Sequence, residues 1–251
     1  MSSGLLARHR GRIMQRGLGS FGAELVRDYS DLSMLFQDAA GTFPVTSHGD
    51  RIRRVNNKGT AGSYWLAPSD DASPKYQTDG THHWAESDGA NDVLIFQGTI
   101  PFSVDVFEAV AFRTISHSHS FAHIINYRGG GSSDPQQRQP LIFTPSGSPN
   151  QVTVSFGGPQ MGVDTGSSIV GKDVIVTASN DPTGQRANVN GNTVSAAGVT
   201  LTSGGTDPYR IFGPNFSNIR DYGGLHMNRV PSAQEEAFIR AVLARKSDGI
   251  A

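Results

Sequence analysis

The chain has 251 residues, 30 of them glycine and 13 proline, with 36% apolar residues, 17% charged residues and a formal net charge of −1. So many turn formers favour short strands joined by loops over a helical architecture, and the charge is too low for a wholly disordered chain. Cysteine is absent, which excludes disulfide frameworks, cysteinyl metal sites and thiol catalysis, and no run approaches the roughly 18 apolar residues of a membrane helix.

Arg8, Arg10, Arg12 and Arg16 stand in the first twenty residues without one acid, and Gly17, Gly19 and Gly22 follow. The neighbouring apolar stretch, Leu5-Leu6-Ala7, is too short for a signal-peptide core. The segment reads as a basic arm over residues 1–29. It is either a solvated terminus or an anchor to an acidic surface. No reading helix or aromatic–basic interleaving follows, so no specific nucleic-acid binding is expected.

Residues 29–40 suit a short helix or an irregular strand. Residues 41–92 read as loop, with turns at Gly49-Asp50, Asn57-Lys58-Gly59, Asp79-Gly80 and Asp88-Gly89. From Ile100 the apolar residues Phe102, Val104, Val106, Val110 and Phe112 fall at a period of two, which predicts a central strand with Phe102, Val104 and Val106 facing the core. Further strands are expected over 121–127, 141–144, 151–156, 173–178, 186–189, 193–195 and 209–212. Asn190-Gly191 is a strong type I′ hairpin signal, because both residues tolerate positive φ. The end of the chain reads as a helix. Ser232 and Glu235 have capping-box spacing, and Phe238, Ile239, Val242 and Leu243 share one face. Regular strands without intervening helices predict an all-β sandwich.

Two stretches carry a family resemblance. DLSMLFQDAAGTFPVTSHGDRIRRVNNKG (31–59), followed by PKYQTDGTHHWAESDGANDVLIF (74–96), resembles the opening of concanavalin A-like (laminin-G-like) jelly-roll proteins of tailed bacteriophages, prophages and gene-transfer particles. YRIFGPNFSNIRDYGGLHMNRVPSAQEEAFIRAVLARK (209–246) is similar to the end of many laminin-G-like domains. The resemblance implies one jelly roll over residues 30–251, made of two antiparallel sheets, with Trp84 in its core. It also implies a virion structural or adhesion role in a head spike, fibre, collar or tail.

Glucanases of this fold class place two carboxylates on one strand as E-x-D-x-E. Glu24, Glu86, Glu108, Glu235 and Glu236 are the only glutamates here, and none stands in that pattern, so no catalytic residue is nominated. Glu108 shares the register of Val106 and Val110 and is expected at a bulge or an exposed concave face. Asp88, Asn91 and Asp92 supply oxygens around one turn and form a candidate calcium site, the alternative being that they simply build the turn. His117 and His119 share a strand face and form a candidate metal pair. Gly166–Asp173 falls one residue short of a P-loop and precedes a strand, and Gly17–Gly22 matches G-x-G-x-x-G without a βαβ context, so no nucleotide cofactor is expected. Tyr64, Trp65 and Tyr76 lie in the loop-rich segment and are the candidate sugar-stacking aromatics.

These readings converge on a non-enzymatic protein at the surface of a virion or phage-like particle, made in the bacterial cytoplasm. Arg8, Arg10, Arg12 and Arg16 would attach it to other virion proteins, and a homo-oligomeric sandwich would face host-surface polysaccharide. The alternatives are a free carbohydrate-binding module or lectin, a glycan-degrading enzyme, and a structural subunit without a ligand.

Overall fold

Side chains alternate between two sides along Val106–Ser116. Val106, Val110 and Phe112 point into one apolar core, and Phe107, Ala109 and Ala111 point into a second. A strand buried on both faces must be covered on both sides. The computed structural model, which describes residues 17–101, 103–117, 120–127, 141–157, 160–201, 208–213 and 217–247, shows how.

The strands in chain order are β1 (Leu25–Arg27), β2 (Leu35–Phe36), β3 (Arg54–Asn56), β4 (Tyr64–Leu66), β5 (Lys75–Thr78) and β6 (His83–Glu86). They continue with β7 (Leu94–Phe96), β8 (Val106–Ser116), β9 (Phe121–Asn126), β10 (Leu141–Pro145), β11 (Gln151–Ser155) and β12 (Met161–Asp164). The last are β13 (Asp173–Asp181), β14 (Gly184–Val189), β15 (Asn192–Ala196), β16 (Arg210–Ile211) and β17 (Asn218–Met227), followed by helix α1 (Ala233–Ala244). Among the described residues they form two antiparallel sheets. One runs β15-β14-β13-β8-β17-β6-β5 with β1 also on β17, and the other runs β12-β11-β10-β9-β16-β7-β4-β3-β2. The larger core fills the space between them, as the sandwich expectation required.

Helix α1 closes the outer face of the first sheet. The expected capping box is present, with the Ser232 hydroxyl accepting from Glu235 N–H and the Glu235 carboxylate accepting from Ser232 N–H. Ile239, Val242 and Leu243 are buried against Phe107, Ile175, Tyr222 and Met227, while Phe238 is only half-buried. Glu236 fixes the helix azimuth by accepting from Thr177 Oγ1 at 2.6 Å and pairing with Arg186.

The Asn190-Gly191 hairpin forms as expected, with φ of 50° and 95° and Val189 opposite Asn192. Other expectations are corrected. The central strand begins at Val106, not Ile100, because its partner β13 ends at Asp181 and offers no ladder beyond Asn180. Val104 is half-buried outside the strand, its carbonyl accepting from the Asn180 amide, and Phe102 lies outside the described residues. Glu108 is neither bulged nor exposed; it is fully buried on the Val106 face.

The arm boundary also moves. Residues 1–16, with Arg8, Arg10, Arg12 and Arg16, lie outside the described residues. Residues 17–29, expected as the rest of the arm, belong to the sandwich. Leu18, Leu25, Val26 and Tyr29 have no exposed surface, and β1 pairs with β17 from Leu25↔His226 to Arg27↔Gly224. The close approach needs glycine, since a Cβ on Gly223 would stand 2.6 Å from Arg27 O and one on Gly224 2.4 Å from Ala109 O.

That strand carries the charge that ties the sheets together. Arg27 Nε donates to Asp221 Oδ2 at 3.0 Å, Tyr29 OH donates to the same oxygen at 2.9 Å, and Arg27 Nη1 donates to Tyr209 OH at 3.3 Å. Tyr209 OH donates to Glu108 Oε1 at 2.7 Å, and His226 Nδ1 lies 3.1 Å from Glu108 Oε2. Burial works most strongly against the Arg27 charge, and Asp221, Tyr209, Tyr29 and Glu108 together more than offset it, so its pKa is raised. Burial also pushes both tyrosines well above their usual range.

Two outcomes are expected. Asp221→Ala leaves a buried guanidinium without its counter-ion and should cost about 3–5 kcal/mol in denaturant melts, more than an average core substitution. Truncation after Val230 uncovers the face held by Ile239, Val242 and Leu243, worth roughly 5–8 kcal/mol of apolar transfer. That rivals the stability of a whole domain, so the truncated chain should lose its cooperative thermal transition. An unchanged melting temperature would make the helix peripheral.

Candidate functional site

The β5–β6 hairpin lies at one end of the first sheet, with Lys75 opposite Glu86 and Gln77 opposite Trp84. Tyr76 and Ala85 point into the inter-sheet core, so the alternation of a strand turns Lys75, Gln77 and Glu86 to the outer face. Two loops rise beside them. Residues 69–74 are held by Ser73 Oγ donating to Ser69 O at 2.7 Å and by Ala72 N–H donating to Ser69 Oγ at 3.1 Å. Residues 87–92 are anchored where Ser87 Oγ donates to Ser217 O at 2.8 Å and accepts from Ile219 N–H at 3.0 Å. Asn91 Nδ2 joins the loops by donating to Asp71 Oδ2 at 2.6 Å.

Between hairpin and loops is a cleft of about 620 Å³, lined by Arg51, Asp70, Asp71, Ser73, Lys75, Gln77, Glu86, Ser87, Asp88, Asp92 and Asn218. Some of its charges are already engaged. Arg51 pairs with Asp70, and Glu86 Oε2 accepts from Arg220 Nε at 2.9 Å and Trp84 Nε1 at 2.9 Å. Asp71, Asp88 and Asp92 make no ion pair with a cation among the described residues. Asp92 is 4% exposed and its Oδ2 accepts from Asp88 N–H at 2.8 Å. Burial pushes its carboxyl up to about 7, and the nearby Asp88 and Asp71 charges push the same way. Asn218 Oδ1 is a buried acceptor without a hydrogen-bond donor.

The residues singled out from the sequence fare unequally. Asp88 and Asp92 do come together on the cleft, but Asp88 Oδ1 accepts from Ala90 N–H at 2.8 Å and Asn91 turns its amide to Asp71. The trio therefore builds the turn, and among the described residues no group of three or more histidine or acidic side chains is arranged to hold a metal ion. His117 ends the long strand near Thr144, its Nε2 3.5 Å from Thr144 Oγ1 and its pKa lowered by burial, and His119 lies outside the described residues.

Of the proposed stacking aromatics, Trp65 is 0% and Tyr76 is 2% exposed, so neither offers a ring face to a sugar. Each sits inside a short strand whose alternation turns it inward. Tyr64 is half-buried, with the Arg54 guanidinium 3.9 Å from its ring centre. Trp84 is in the second core, as expected. Sequence reading missed Asp71, Lys75, Gln77 and Asn218. The alternation Lys75-Tyr76-Gln77 was available as a signal for two of them; Asn218 reaches the cleft only through long-range pairing.

No protein-family model matches the chain, and no curated protein matches it in sequence. Solved structures do match. Trypanosoma rangeli sialidase in complex with the inhibitor DANA aligns at a TM-score of 0.55 and 12% identity, over 99% of this chain and 40% of that one. The botulinum neurotoxin serotype D binding domain aligns at 0.60 and 11% identity, over 89% of this chain and 52% of that one. The binding domain of botulinum neurotoxin DC in complex with SialylT aligns at 0.55 and 10% identity over the same shares. The chain thus spans from 40% to 52% of the length of these structures. The likeness establishes the fold, an all-β antiparallel sandwich of the concanavalin A-like jelly-roll kind with a C-terminal helix.

The Asp92 environment makes a pH prediction. The native carboxyl holds its proton up to about pH 7, whereas the unfolded chain loses it near 3.8. The resulting stabilisation is complete below the unfolded value and is lost as pH rises through the native one. Asp92→Asn keeps the acceptor for Asp88 N–H and cannot ionise. Its melting temperature relative to wild type should therefore climb from about pH 4 to about pH 7 and level off above that. A constant difference across that range would show that Asp92 titrates normally.

Proposed function

We propose that this chain is a glycan-binding jelly roll, displayed as a non-enzymatic structural or adhesion protein on the surface of a phage-like particle. The observation that carries the glycan reading is the cleft itself. Its hydroxyl, amide and carboxylate groups converge on a concavity of about 620 Å³, held by strands and cross-linked turns. Such convergence suits a polyhydroxylated ligand, because its groups meet pre-positioned partners. Support for the ligand class comes from the botulinum neurotoxin DC binding domain in complex with SialylT and the sialidase in complex with sialic acid. Support for particle display comes from the phage-protein resemblance of residues 31–96 and 209–246 and from the arginine-rich start of the chain. In this reading the chain is made in the bacterial cytoplasm, and Arg8, Arg10, Arg12 and Arg16 bind other virion proteins. Many copies then make weak sugar contacts effective through multivalency.

A glycan-cleaving reading has one observation in its favour, the proton that Asp92 holds up to about pH 7. Against it, both carboxylates are engaged within one turn, Asp88 Oδ1 accepting from Ala90 N–H and Asp92 Oδ2 from Asp88 N–H.

The test is an array of bacterial surface polysaccharides probed with the full chain. Binding is expected, and Gln77→Ala with Asn218→Ala should weaken it by about tenfold while the melting temperature holds. Deleting residues 2–16 should leave binding intact and abolish loading onto particles, read as copies per purified particle. Absence of any glycan binding overturns the glycan reading, wild-type loading of the deletion overturns the arm's role, and release of reducing ends overturns the non-enzymatic one.

A further inference from the structure

The margins of the two sheets are guarded, with one exception. At β1, Lys58 N–H donates to Val26 O at 3.2 Å and Asn57 Oδ1 accepts from Val26 N–H at 2.8 Å. At β5, Gly49 N–H donates to Tyr76 O and Tyr76 N–H donates to Asp50 O, each at 2.8 Å. At β2, Gln37 N–H donates to Phe43 O at 2.7 Å and Val45 N–H to Leu35 O at 2.9 Å, which sets Pro44 on the margin. The short strand β12 holds a glycine and the exposed Asp164. In contrast, Asn192-Thr193-Val194-Ser195-Ala196 of β15 has no charge, proline or glycine, and it pairs with β14 over five residues without a bulge. Among the described residues nothing makes a backbone hydrogen bond to its free side, and β12, which passes near, belongs to the other sheet. Native proteins rarely leave such a margin open, because its free N–H and C=O groups are a template for another strand.

The ladder fixes which groups are free. Val189 and Asn192 flank the two-residue turn and exchange its closing hydrogen bonds, so alternation also turns the N–H and C=O of Val194 and Ala196 toward β14. Thr193 and Ser195 therefore direct theirs away from the sheet. A two-fold axis through Val194 sets Thr193 opposite the partner's Ser195, and Ser195 opposite the partner's Thr193. Every free group of the strand then meets its complement. The neighbouring symmetric registers fail, because they place one of the two residues against the Asn190-Gly191 turn or against chain beyond Ala196. Val194 is only half-buried at the border of the inter-sheet core, and on the axis it is covered by its own counterpart.

We infer that β15 is the contact of a two-fold dimer, in which a second copy of this chain pairs antiparallel about Val194 and joins the two first sheets into one. Val194 and Ala196 face the core, so Thr193 and Ser195 face the side that carries α1. Paired residues share a face, which keeps both helices and both clefts on the same side of the joined sheet. The β5–β6 hairpin stands at the opposite end of the strand order from β15. With neighbouring strands ~4.8 Å apart, the two clefts lie roughly 60 Å from each other. The pairing is independent of what the clefts bind, and it makes the unit bivalent for any ligand they take.

The experiment is analytical ultracentrifugation of the full chain from about 1 to about 100 μM, where a species of twice the chain's mass is expected. Ser195→Pro removes an outward N–H and no bond to β14, and Thr193→Lys puts a charge on the margin. Each should weaken the dimer by about tenfold or more while far-ultraviolet circular dichroism holds. The chain has no cysteine, so Val194→Cys supplies one thiol that faces its own counterpart. The Cα separation of such a non-hydrogen-bonded pair, ~4.5 Å, is within disulfide range. Air oxidation should therefore link Val194→Cys into a covalent dimer and leave Ala196→Cys, displaced along the strand from its counterpart, unlinked. That readout locates the contact even where Ser195→Pro fails to fold. A monomeric mass at every concentration overturns the second copy as the occupant of this edge. A dimer that both margin substitutions leave intact, or that Val194→Cys does not cross-link, lies elsewhere on the surface and overturns the assignment to β15.

Discussion

A guanidinium with no access to water sits between the two sheets, and much of the architecture follows from neutralising its charge, although its Nη2 is left without an acceptor. Arg27 and Asp221 are both 0% exposed. Taking either alone into the interior would cost several kcal/mol, so each fixes the position of the other. The network reaches both sheets. Asp221, Glu108 and His226 come from the first, while Tyr209 adjoins β16 of the second and the Trp65 ring centre lies 5.9 Å from the guanidinium. An apolar core tolerates small slips between layers, but this one does not, because a slip of one residue would strand a buried charge. Residues Gly223 and Gly224 are part of the same requirement, since a side chain on Gly223 would push β1 away at Arg27 O and one on Gly224 would collide with Ala109 O of β8 and crowd the Arg27 guanidinium.

That network explains which parts of the fold were legible in the sequence. Local signals read correctly. Asn190-Gly191 makes its hairpin, Ser232 and Glu235 cap their helix, and the shared register of Val106, Glu108 and Val110 places all three on one face. What that register could not tell was whether the face was wet, because the groups that satisfy Glu108 lie 101 and 118 residues away. Leu25–Arg27 failed for the same reason. Three residues ending in arginine after a glycine-rich stretch resemble a tail, and the Asp221 that turns them into a core strand lies 194 residues on.

The segment from 41 to 92 was illegible for a different reason. Its strands are three or four residues long, too short to display a period, and its turns dominate the composition. Trp65 and Tyr76 therefore looked like loop aromatics, although each is an inward residue of a strand. The candidate site suffered in parallel. Asp88 and Asp92 were visible as a carboxylate cluster, but the cleft is completed by Asp71 on one loop and Asn218 on β17, and sequence spacing says nothing about either meeting.

The outer face of the first sheet has to serve two incompatible neighbours, and Arg220 separates them. On one side α1 buries Phe107, Ile175 and Tyr222 in a dry core; on the other the cleft gathers carboxylates that need water or a ligand. Arg220 lies between, its guanidinium 4.7 Å from the Trp84 ring centre and its Nε donating to Glu86. Its planar face covers the edge of the apolar region, and its edge neutralises the nearest cleft carboxylate. The carboxyl groups of the cleft without a cation are thereby confined to Asp71, Asp88 and Asp92, where turn backbone N–H groups hold Asp88 and Asp92 and the Asn91 amide holds Asp71. A carboxylate has about four lone-pair sites, so a turn that uses one or two of them leaves the rest facing outward. Building the turns and leaving acceptors for a ligand are thus the work of the same residues, which is why residues that cap the 87–92 turn also line the cleft.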